Sequence, residues 1–76
     1  MTYFSVCVRF PGNPDHDQFA PIMKPHVFRA NSLKLLVKDV RAFITNNQIG
    51  AGNFDPGPIW RDGKPYCRLN YNGSTD

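Results

Sequence analysis

From Thr2 to Phe10 apolar and polar side chains alternate. Phe4, Val6, Val8 and Phe10 fall on one side, and Tyr3, Ser5, Cys7 and Arg9 on the other. A period of two, built from β-branched and aromatic residues, predicts a strand with one face in the core. Pro11-Gly12-Asn13-Pro14 stops it. Residues 11–25 hold four prolines and no periodicity, which predicts a long loop with Phe19, Ile22 and Met23 as its packing points. A short second strand is expected over Val27–Ala30.

The period then changes. Leu33, Leu36, Val37, Val40 and Ile44 recur at spacings of three and four, with Phe43 widening the stripe. That is one apolar face of a helix. Asn31 or Ser32 is placed to cap its first turn, and Asn46-Asn47 followed by Gly50 should end it. Downstream, Asp62-Gly63 separates Ile59-Trp60-Arg61 from the run Lys64 to Tyr71. An Asp-Gly pair between two such runs predicts a hairpin, because a type I′ turn needs φ > 0 at both central residues. In that register Arg61 faces Lys64, Trp60 faces Pro65 and Ile59 faces Tyr66.

Strict alternation from this turn puts Trp60, Pro65, Cys67, Leu69 and Tyr71 on the side that meets the helix. It puts Ile59, Arg61, Lys64, Tyr66, Arg68 and Asn70 on the open side. Cys7 is then outward and Cys67 inward, so the two thiols should stay reduced and unbridged. The elements sum to an α+β domain of order β-β-α-β-β: an antiparallel sheet of about four strands with one helix across a face. A chain of 76 residues has room for one such domain, spanning residues 1–76. A domain this small should be only marginally stable, on the order of 5 kcal/mol.

Charge sharpens this picture. Nine Lys and Arg stand against six acids, all of them Asp. Asp15, Asp17, Asp55, Asp62 and Asp76 fall in expected loops, whereas most of the bases fall in expected strands and the helix. The ordered surface should therefore be more basic than the net +3, and should favour an acidic partner, either nucleic acid or an acidic protein patch. Two groups of bases stand out. Arg61, Lys64, Tyr66 and Arg68, joined by Arg9 and Tyr3, interleave cations with aromatics, a combination that clamps phosphates and stacks on bases. Lys34, Lys38 and Arg41 form a stripe on the polar side of the helix, with Asp39 outside it.

Other chemistry is poorly represented. Asp15-His16-Asp17 with His26 matches no zinc spacing, so no metal is expected. Gly50-Ala51-Gly52 follows a helix rather than a strand, and Asp55 stands where a dinucleotide-binding turn needs glycine. These glycines are read instead as φ > 0 residues of a tight helix exit. Neither a P-loop nor a nucleophile elbow occurs. Neither an enzyme nor a cofactor is expected. No apolar run is long enough to cross a bilayer, and residues 1–10 do not form a signal peptide. The expected location is the cytoplasm, with no membrane partner.

The block Ala30-Asn31-Ser32-Leu33 through the helix to Ile49-Gly50-Ala51-Gly52-Asn53-Phe54 is followed by Ile59-Trp60-Arg61-Asp62-Gly63 and Arg68-Leu69-Asn70-Tyr71-Asn72-Gly73. This layout resembles the small accessory proteins carried by phages and other mobile elements, and is similar to that of some anti-CRISPR proteins. The resemblance implies a non-enzymatic inhibitor in the host bacterium, binding a host protein or ribonucleoprotein complex such as a CRISPR effector. It transfers no site residue. Many such inhibitors are acidic DNA mimics, and this chain is basic, so steric occlusion through the basic surface is the mode expected. The alternative is a small basic module that binds DNA or RNA directly.

Overall fold

The computed structural model describes residues 2–12 and 20–76. Strand β1 (Phe4–Phe10) leads to β2 (Met23–Ala30), helix α1 (Leu33–Asn46) and a 3-10 turn at Ala51–Asn53. Three strands close the chain: β3 (Asp55–Pro56), β4 (Pro58–Arg61) and β5 (Lys64–Arg68). They form one antiparallel sheet ordered β2-β1-β4-β5, with the two-residue β3 also paired to β1. The α+β class and the single helix on a sheet are those expected. The count of five strands arises because the segment running alongside β1 is interrupted between β3 and β4.

The core lies between the helix and one face of the sheet. Phe4, Val6, Val8 and Phe10 of β1 are buried against Leu36, Val40 and Ile44 of α1, with Phe28, Ile49, Ile59 and Leu69 completing the cluster. Phe43 meets Phe10, Phe28 and His26 ring to ring on the β2 side. The helix starts where capping chemistry places it: Ser32 Oγ accepts the Leu35 N–H at 3.1 Å. It ends before the glycines. Gln48 takes the left-handed conformation (φ 53°), while Gly50 is at φ −82° and serves as no such exit. The Gln48 and Ile49 N–H groups donate back to the Thr45 and Ile44 carbonyls, which is the Schellman arrangement. Buried Ile49 supplies its apolar contact.

Strand β2 begins earlier than expected, at Met23, and so takes in Pro25. The strand lies at the edge of the sheet, and the pairing to β1 shifts between Val8 and Phe10. Pro25 falls within this irregularity, where its missing N–H costs no ladder bond. Met23 packs against the core, whereas Ile22 is exposed. Phe19 and the Asp15-His16-Asp17 cluster lie outside the described residues.

The hairpin turn is the one predicted, with Asp62 at φ 51° and Gly63 at φ 84°. Arg61 pairs with Lys64 and Trp60 with Pro65. Beyond them the pairing shifts by one, so that Ile59 faces Cys67 rather than Tyr66. A second shift separates β3 from β4: Val8 pairs with Pro56, yet Ser5 pairs with Trp60. At that point Gly57 donates its N–H to the Cys7 carbonyl at 2.8 Å. A Cβ at Gly57 would stand 3.3 Å from the same oxygen. Each extra residue is a bulge that reverses which face its neighbours occupy. The expected faces of β4 are therefore overturned: Ile59 is fully buried and Trp60 is exposed.

Candidate functional site

The two bulges divide the basic residues of the hairpin between the faces. Cross-strand partners share a face. Arg61 pairs with core-facing Phe4 and with Lys64, so both bases lie on the helix side of the sheet rather than its open side. The helix packs on β2 and β1 and leaves this corner uncovered. Tyr66 joins them there: its ring meets Phe4 edge-on at 5.7 Å between centroids. The Arg61 guanidinium carbon stands 5.5 Å from the Tyr66 ring centre and 6.0 Å from that of Phe4. Arg61 is thus oriented by two ring faces. Its guanidinium makes no hydrogen bond or ion pair among the described residues. Asp62, the adjacent acid, directs its carboxylate onto the backbone, accepting the Tyr3 N–H at 2.8 Å. Arg61, Asp62, Lys64, Pro65 and Tyr66 border a depression of about 490 Å³.

Arg68 is not part of that corner. It pairs with Pro58, next to buried Ile59, and so lies on the open face. Arg9, opposite Asp55, lies there too. Asp76 binds Arg68 through backbone groups, its N–H and carbonyl pairing with those of Arg68, while its carboxylate accepts from Asn70 at 3.2 Å.

The helix stripe also divides. Lys34 and Lys38 are exposed, but Arg41 is half-buried. Its guanidinium donates to the Tyr71 carbonyl and lies 5.4 Å from the Tyr71 ring centre. The Tyr71 hydroxyl in turn donates to the Ile49 carbonyl, and Gly73 sits against the Arg41 stem. Arg41 holds the C-terminal segment down, so its charge is committed within the fold.

Alternation from the turn had Trp60 facing inward, and it was not extended to Arg29 of β2. Both are on the open face, where Arg29, Ser5, Trp60 and Pro65 form one row across β2, β1, β4 and β5. Trp60 is 40% exposed and Val27, on the neighbouring row with Cys7, 49%. Gly57-Pro58 was the available signal for the outward Trp60, since that dipeptide interrupts a strand. Both cysteines are free: Cys7 is exposed on the open face, and Cys67 packs against the core. Desolvation raises the Cys67 thiol pKa, which keeps it neutral and a poor nucleophile. Among the described residues no three His, Cys or Asp side chains come together as a metal site. No helix among them is long and apolar enough to cross a membrane. No protein-family model, curated protein or solved structure matches the chain, so geometry alone carries the functional reading.

Proposed function

We propose that the protein is a non-enzymatic inhibitor of the phage or mobile-element type that acts in the bacterial cytoplasm. It binds a host nucleic-acid-handling complex, a CRISPR effector in the most specific form of the reading, and sterically blocks its access to nucleic acid. The observation that carries this is the Phe4–Arg61–Tyr66 stack with Lys64 beside it. An arginine already ordered by two rings loses little side-chain freedom on binding. Arg and Tyr at a shared corner are the residue types that anchor interfaces. Two exposed cations without an ion-pair partner among the described residues suit the acidic residues that line a nucleic-acid channel's metal sites, or the phosphates held within it.

The test uses purified CRISPR effector complexes and measures loading onto target DNA with and without the protein. Stoichiometric inhibition is expected, with Arg61→Glu/Lys64→Glu restoring loading. Full inhibition by that double variant would remove the corner from the account, and no inhibition of any effector class would remove the target.

A second reading is direct binding of nucleic acid, favoured by the exposed Trp60 and the cations that share its face. It predicts affinity for free oligonucleotides that falls steeply with salt, which a gel shift at low and high salt measures. The absence of a shift at low salt would dispose of it.

A further inference from the structure

We infer that the open face of the sheet is a platform for single-stranded nucleic acid, with a base stacked on Trp60 and the flanking phosphates at Arg29 and Arg68. This rests on the second reading above and not on the Arg61 corner. The first argument is the exposure of Trp60 itself. Burying an indole would help so small a domain, and simple alternation from the turn would have buried it. Two bulges turn it out instead and place Ile59 in the core. Its neighbours on the face keep the ring accessible. Ser5 and Pro65 flank it across the strands and Pro58 precedes it by two residues, and the ring is 40% exposed.

Charge supplies the second argument. Arg29 is exposed two strands from Trp60 in the same row, about 10 Å away at the usual strand spacing. Arg68 is exposed on the opposite flank, paired with Pro58. A chain running obliquely from Arg29 over Trp60 to Arg68 would meet a cation, a ring and a cation in turn. Among the described residues neither arginine forms an ion pair. Two acids are paired into this face: Asp55 lies opposite Arg9, and Asp76 lies opposite Arg68 with its carboxylate accepting from Asn70. A flat face with one exposed ring suits unpaired bases. A duplex hides its base faces, and a shallow sheet does not enter its grooves. An acidic peptide would use the cations but gain little from the open indole.

Trp60 is the chain's single tryptophan, so its emission reports this face alone. The experiment titrates the protein with oligodeoxynucleotides and oligoribonucleotides of about ten residues, with polyglutamate as the acidic-peptide probe. Saturable quenching by one or both oligonucleotides is expected, with RNA and DNA arms showing whether the 2′-hydroxyl matters. Two phosphate contacts predict a slope of about −1.4 in log affinity against log salt. By anisotropy of a labelled oligonucleotide, Trp60→Ala and Arg29→Glu/Arg68→Glu should each weaken binding about tenfold or more. Trp60→Phe, which retains a ring, should weaken it less; circular dichroism checks that each variant is folded. Unquenched Trp60 at saturating oligonucleotide would overturn the inference. So would equal quenching by polyglutamate, which would make the ligand an acidic peptide. Loss of oligonucleotide binding in Arg61→Glu/Lys64→Glu but not in Arg29→Glu/Arg68→Glu would move the site to the corner, leaving direct nucleic-acid binding intact while this face fails.

Discussion

At single positions, conformation rather than contact sets the chemistry. Gln48 sits at φ 53°, a region that costs a residue with a Cβ roughly 1–2 kcal/mol relative to glycine. It is held there by the two backbone bonds that close the helix. Gln48→Gly should therefore raise stability by about 1 kcal/mol, read as a higher urea midpoint with an unchanged m-value. No change in midpoint would mean that glycine's extra freedom in the unfolded chain cancels the relief. Arg41 and Arg61 make the complementary point. Both lie over aromatic rings, yet Arg41 also donates to a carbonyl of the fold while Arg61 donates to none among the described residues. Identical residue types thus become a structural tie and an available cation.

Among the elements, the helix and the hairpin turn were the most legible in the sequence, because each is specified by neighbours. The stripe from Leu33 to Ile44 and the Ser32 cap lie within a few turns of one another, and Asp62-Gly63 carries its own conformational preference. Gly63 at φ 84° has open space where a Cβ would be, so a substitution there meets backbone strain without a clash. Gly63→Ala should cost about 1 kcal/mol, measured by thermal or urea unfolding. A loss several times larger would show that the turn's register, and not the residue's φ, had been disturbed. Strand β2 was less legible: Pro25 marks loop in a local reading, and only its place at an edge irregularity makes it compatible with a strand. The glycines after the helix were misleading for a related reason. Two backbone bonds and buried Ile49 hold Gln48 in the left-handed turn, so the chain had already turned before Gly50.

Over the whole molecule, the last residues work as a strap. Leu69 is buried, Tyr71 bonds the Ile49 carbonyl, Arg41 bonds the Tyr71 carbonyl, and Asp76 pairs with Arg68 through the backbone. These contacts tie the segment after β5 to the helix at Arg41, to the helix exit at Ile49 and back onto β5. Arg41→Ala removes a charge-assisted bond and a ring contact at a half-buried site, and should destabilise by roughly 1.5–3 kcal/mol, a large share of what so small a domain has. The check is chemical unfolding alongside the binding assays. Stability should fall while binding by the protein that remains folded is unchanged. A selective loss of binding with normal stability would make Arg41 a contact residue after all. The same scale decides which bases act together, since the corner, the open face and the helix surface are separated only by how the sheet is threaded.

The order of elements, the helix and its apolar face and the I′ turn followed from the sequence alone, because local spacing and backbone preference determine them. Which way Trp60, Ile59 and Arg61 point did not. A side chain's face on a strand depends on the count of residues from a fixed partner, and one unpaired residue reverses everything beyond it. The extra residues near Gly57-Pro58 and at Tyr66 exist only in relation to β1 and to one another. Strand pairing therefore placed Arg61 among rings at one corner and turned Trp60 outward between two arginines.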